Sequence, residues 1–181
     1  MAKRVVFLAL DRLGLYVKNN KELQNFWMFF TLGASSFQAD ALDPSDSAQN
    51  WGAILHRVGK DRLVFNNGNV NKNIFFNENS PYPSIPKMIL KDDENTKIAF
   101  YWLQLSYYLL KNSIYDHATV SQVKKYILNP KNKDTKLLFV HLTDVDKHRH
   151  QHEFGSVAYL NQVKVMDSQI GEIFNSVKQA G

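Results

Sequence analysis

Leu137-Leu138-Phe139-Val140-His141-Leu142 runs without a break into Thr143-Asp144-Val145-Asp146-Lys147-His148-Arg149-His150-Gln151-His152. An apolar run of strand length, rich in branched and aromatic side chains, belongs in a sheet covered on both faces, which is the setting of parallel strands. The polar stretch behind it carries carboxylates at Asp144 and Asp146 and imidazoles at His148, His150 and His152. Ligands of α/β sheets gather beyond the carboxyl ends of the strands, so the segment reads as a strand end bearing metal ligands. Carboxylate oxygen and imidazole nitrogen together suit zinc and similar divalent ions. A solvated, histidine-rich loop is the competing reading.

Two further runs have the same character. Val5 to Leu10 is apolar throughout and ends at Asp11, a carboxylate in the position of a ligand or catalytic group; the competing role is a helix cap or turn former. Lys97 to Leu103 reads as another buried strand, and Ser35 to Leu42 alternates well enough for a short one. Between the strands, helical spacing marks Lys21–Leu32 with Gly33 as its C-cap, a helix that Pro81-Tyr82-Pro83-Ser84 introduces, and Val120–Leu128 with Val120, Val123 and Ile127 inward. The longest helical pattern runs from Ser156 to Lys178, with Val157, Leu160, Val163, Val165, Ile170, Ile173, Phe174 and Val177 on its apolar side. Gly59 to Ser80 is Asn- and Gly-rich and reads as a surface loop, while Gln104 to Ser113 reads as loop or helix. Strands alternating with helices indicate βαβ units, hence one α/β domain over 1–181 with a mostly parallel sheet.

Composition narrows the chemistry. The 181 residues contain no cysteine, so a metal could be held only by Asp, Glu and His. The net charge of +5 invites a phosphorylated partner, but the 22 basic residues are scattered among 17 acidic ones, which argues against a nucleic-acid surface. No run approaches the roughly 20 apolar residues of a membrane span. The short apolar run after Lys3-Arg4 ends in Asp11-Arg12 without a signal-peptide cleavage pattern. Compartment and oligomeric state are not specified by any of these features.

The turn Asp43-Pro44-Ser45-Asp46-Ser47 opens into the apolar pattern Ala48 to His56. Ser47 at such a helix start would sit among unsatisfied N–H groups, where an anion is favoured and a hydroxyl can serve as nucleophile. Asn50, one turn on, could donate its amide to a phosphoryl oxygen. The competing reading is that Ser45, Asp46 or Ser47 is an ordinary N-cap.

Three stretches, in this order, resemble one family. They are Val5-Val6-Phe7-Leu8-Ala9-Leu10-Asp11, then Pro44-Ser45-Asp46-Ser47-Ala48-Gln49-Asn50-Trp51, then Asp146-x-x-x-His150 with Gly155-Ser156-x-x-Tyr159-Leu160-x-x-Val163-x-x-x-Asp167-x-x-Ile170-Gly171. The chain is similar to the amino-terminal part of a type I phosphodiesterase/nucleotide pyrophosphatase domain, of the alkaline phosphatase superfamily. The resemblance implies a truncated alkaline-phosphatase-like α/β fold with a mostly parallel central sheet and helices on both faces. It implies two zinc ions, one touched by Asp11 and Ser47 and the other by Asp146 and His150, with Ser47 as nucleophile and Asn50 holding the phosphoryl group of a small phosphoester or nucleotide. The family's later Asp-His pair and final His would lie beyond Gly181, and Asp144, His148 and His152 are the local substitutes. Where the family usually has glycine, this chain has Arg12, Arg57 and Arg149. An arginine beside a carboxylate ligand is expected to pair with Asp11 or Asp146 and compete with a cation, or to meet a substrate phosphate. A non-catalytic α/β module that binds phosphorylated ligands is the alternative function.

Overall fold

A computed structural model describes residues 4–62, 66–71, 80–102 and 116–181. Within it lie strand β1 (Val5–Leu10), helices α1 (Gln24–Leu32), α2 (Ser47–His56), α3 (Asn67–Asn71) and α4 (Ile85–Asp92), strand β2 (Ile98–Trp102), helix α5 (Asp116–Leu128), strand β3 (Leu137–Leu142), and helices α6 (Asp144–Gln151) and α7 (Val157–Ala180). Contacts divide the chain into two compact units, Met1–Phe37 with Lys97–Gly181, and Gln38–Thr96. The expectation for Gln104 to Ser113 lies outside the described residues.

The first unit is built on a parallel sheet of order β1-β3-β2. All six positions of β3 are buried, as the unbroken apolar run requires of a central strand. Register aligns Phe7, Phe139 and Phe100 across the three strands, and their rings stack at 5.1 Å on either side of Phe139. Each such pair adds about 0.5–1.5 kcal/mol beyond simple burial and holds the register against slippage. On the opposite face, Leu138, Val140 and Leu142 meet Val120, Val123 and Ile127 of α5 and Tyr159, Val163, Met166, Ile170 and Ile173 of α7.

That α7 stripe repeats at four- and three-residue intervals and leaves Val157 at 75% and Val165 at 48% exposure, so neither is the core residue its apolar character suggested. Two motif residues of α7 turn out to be fasteners for α1. Asp167 accepts the Asn25 N–H (3.2 Å), the Phe26 N–H (2.7 Å) and the Asn25 side-chain amide (3.1 Å), supplying the N-terminal cap that α1 lacks on its own. Gly171 provides the room, since a Cβ there would lie 2.5 Å from Asn25 Oδ1.

Other local expectations needed correction. Residues 35–42 form no strand; Leu42 instead donates its N–H to Asn50 Oδ1 at 2.7 Å, so a side-chain amide answers a backbone group that a neighbouring strand would have taken. Gly33 does cap α1 but in extended conformation, whereas two arginines are left-handed: φ is +57° at Arg57, the C-cap of α2, and at Arg12, in the turn after β1. Two of the three positions where glycine was expected are thus left-handed without it, while the third, Arg149, lies within helix α6.

The histidine-rich segment is a helix, α6, and a reciprocal clasp holds it to α5. Asp116 accepts the N–H groups of Thr143 (2.9 Å) and Asp144 (2.7 Å), while Asp144 accepts the N–H of Asp116 (2.9 Å) and pairs with Lys147 (2.9 Å). Each carboxylate caps the other's helix, which accounts for a helix where polarity alone suggested a loop. Asp116 is wholly buried, and desolvation pushes its carboxyl up from the usual 3.8 to about 6 against the pull of the two N–H donors.

Two outcomes follow for the scaffold. Replacing Arg57 at the end of α2 by glycine should stabilise the protein by about 1 kcal/mol, because a left-handed non-glycine residue costs about 1–2 kcal/mol; urea denaturation that shows lower stability in Arg57→Gly would contradict it. Because the folded pKa of Asp116 lies above its unfolded value, the folded state holds the proton more tightly, and stability contributed below pH 4 is lost as pH rises to about 6. The loss attributable to this group is on the order of 3 kcal/mol. Denaturation curves from pH 4 to 7 should show that decline in the native sequence and a flatter profile in Asp116→Asn; parallel profiles would rule it out.

Candidate active site

β1 and β3 are adjacent and parallel, so the residues just past their carboxyl ends come together. Asp11 extends the ladder by one bond, its N–H donating to Leu142 O at 3.1 Å, and its side chain is 11% exposed. Across from it, on the face that carries the phenylalanine stack, stands His141, paired with Ala9 in register. His141 Nε2 lies 3.5 Å from Asp11 Oδ2, and the Trp102 ring meets its imidazole edge-on at 5.6 Å. Sequence reasoning passed over His141. The available signal was a single imidazole near the end of an otherwise apolar strand, a pattern that more often marks a buried core histidine.

Asp146 and His150 sit one turn apart on α6, with His150 Nε2 3.5 Å from Asp146 Oδ1. Burial raises the Asp146 carboxyl above the usual carboxylate range and the neighbouring Asp11 charge raises it further, while His150, Arg12 and His141 pull it down. Asp11 and Asp146 therefore feel each other, and the three ligands expected in this part of the chain share one edge of the sheet.

Arg12 reaches the same point. Its Nε is 3.2 Å from Asp146 Oδ1, yet that oxygen is buried and takes no hydrogen bond, so the contact is an ion pair rather than an aligned N–H···O bond. Tyr159 fixes the turn that carries it, its hydroxyl lying 2.9 Å from Arg12 O and 2.8 Å from Leu13 O. Arg149, which the sequence placed between candidate ligands, points elsewhere: its guanidinium lies over the Phe154 ring at 5.8 Å.

The donor chemistry at Asp146 fits a divalent ion, since a buried carboxylate oxygen without a hydrogen-bond donor faces an imidazole nitrogen on the same helix. The local substitutes do not join it. Asp144 is engaged by Asp116 and Lys147, and His148 Nδ1 lies 2.9 Å from Asp144 O. Among the described residues no group of three or more His, Asp or Glu converges as a cage.

Ser47 and Asn50 belong to the other unit and form the start of α2. Asp46 is the N-cap, accepting the Gln49 N–H at 3.3 Å, and Ser47 is the first helical residue. Asn67 answers from α3, accepting the Ala48 N–H at 3.0 Å and donating its own N–H to Asp46 at 3.0 Å. The N–H groups of Ala48 and Gln49, expected to await an anion, thus already have acceptors. Asn50 braces the turn: beyond its bond from Leu42 N–H, its amide donates to Asp46 O at 2.9 Å and to Leu42 O at 3.4 Å.

Comparison with curated proteins returns no match. The family model for type I phosphodiesterase / nucleotide pyrophosphatase matches residues 14–181, a span that starts just past Asp11 and Arg12 and includes Ser47, Asn50, Asp146 and His150. With a parallel sheet whose carboxyl edge gathers carboxylates and imidazoles, and a match over nearly the whole chain, the protein belongs to the type I phosphodiesterase/nucleotide pyrophosphatase family.

Proposed function

We propose that the chain is a metal-dependent phosphoester hydrolase domain that carries the nucleophile and metal ligands, acting on small phosphodiesters or nucleotides. The observation that carries this reading is the convergence of Asp11 and Asp146 at the carboxyl edge of adjacent parallel strands, supported by the family to which the chain belongs. Asp11 and Ser47 would hold one zinc ion, and Asp146 and His150 the other. When bound, such ions supply positive charge to the attacking and leaving oxygens of an in-line displacement.

Ser47 is the nucleophile in this reading. Its Oγ forms a bond to phosphorus as the ester oxygen leaves, giving a covalent phosphoryl or nucleotidyl serine that water then cleaves. The position at the first turn of α2 favours the anion that develops, because the helix dipole adds to the local field even where Ala48 and Gln49 are already bonded. Asn50 donates to a phosphoryl oxygen by exchanging its long 3.4 Å contact with Leu42 O, while the 2.9 Å bond to Asp46 O keeps the turn in place.

The Arg12–Asp146 ion pair gives a second reading its support: an α/β module that binds phosphorylated ligands without turning them over. Hydrolysis of bis(p-nitrophenyl) phosphate separates the two. The enzyme reading expects turnover that falls by about a thousandfold or more in Ser47→Ala and disappears on chelation. Folded protein with no turnover in the presence of zinc, or turnover that Ser47→Ala leaves intact, would overturn it.

A further inference from the structure

Resting on that metal-site reading, we propose that Arg12 is a built-in cation that occupies the metal's place on Asp146, so that a divalent ion binds there only by displacing the guanidinium.

Geometry makes Arg12 specific for this role. It follows Asp11 directly and stands at φ +57°, a conformation that favours glycine, and Tyr159 fixes the carbonyl groups of Arg12 and Leu13. The backbone is thereby committed before the side chain is considered, and the side chain ends with Nε 3.2 Å from Asp146 Oδ1. That oxygen is buried and takes no hydrogen bond, which leaves a lone pair for a cation rather than for an N–H donor.

Charge supplies the reason. Asp146 Oδ1 is buried without a hydrogen-bond donor, and the Arg12 Nε at 3.2 Å approaches it more closely than His150 Nε2 at 3.5 Å. His150 is a poor source of charge, because its side chain is 65% exposed. A guanidinium stays charged at every accessible pH. Arg149 cannot substitute, being held over Phe154. The Arg12 side chain is 38% exposed, so it has an open route to solvent when an ion takes its position.

Calorimetric titration with Zn²⁺ of the whole chain and of Arg12→Gly tests this, with circular dichroism and thermal melts to establish that both are folded. The expected result is zinc binding at least tenfold tighter in Arg12→Gly, lost again when Asp146→Asn is added. Equal, tight binding in both proteins would overturn the role of Arg12 while leaving the metal-site reading intact. Binding in neither folded protein would overturn both. A gain in Arg12→Gly that survives Asp146→Asn would overturn the assignment to Asp146.

Discussion

Two carboxylates at the carboxyl edge of one parallel sheet set the main electrostatic condition of this structure. Asp11 is buried and the Asp146 side chain is 18% exposed, and burial together with the neighbouring Asp11 charge works against the ionised form of Asp146. Such a pair persists only if the fold provides cations or the site acquires them. Around it, among the described residues, stand the Arg12 guanidinium and the imidazoles of His141 and His150. A cationic partner is thus delivered by the residue that follows Asp11, from a turn whose conformation suits glycine.

Much of what looks like a functional motif is the support for that turn and for the elements behind it. Tyr159 anchors the backbone after Asp11, Asp167 caps α1, and Gly171 opens the space in which Asn25 reaches that cap. Ser156 caps α7, accepting the Tyr159 N–H at 3.3 Å. The ordered motif in the last third of the chain therefore couples α7 to the opposite end of the first unit, and only Asp146 and His150 within it face the candidate site. The Asp116–Asp144 clasp has a similar effect on α6, since it fixes the start of the helix from which Asp146 projects.

The strands were legible because burial on both faces leaves a sequence little freedom: Val5–Leu10 and Leu137–Leu142 match their apolar runs to within a residue. Helix α6 was not legible, because its stability comes from a carboxylate at Asp116, far away in sequence, that answers the N–H groups at residues 143 and 144. The apparent strand before the Ser47 turn failed for a related reason, as alternation describes a face but does not supply the neighbouring strand. At the site, residue types pointed to Asp11, Asp146 and His150, and the glycine pattern singled out Arg12, Arg57 and Arg149, of which the first two are left-handed and the third is helical. Which carboxylate Arg12 would choose, and that Arg149 would turn to Phe154, depended on side-chain directions that spacing does not encode.

The central claim is that the Asp146 carboxylate takes either the Arg12 guanidinium or a metal ion. Anomalous diffraction at the zinc edge from crystals of the native sequence grown with excess Zn²⁺ tests it most directly. The account predicts that any zinc peak within bonding distance of Asp146 Oδ1 coincides with an Arg12 side chain swung out to solvent. Zinc bonded to Asp146 Oδ1 with Arg12 Nε still at its 3.2 Å position would contradict it.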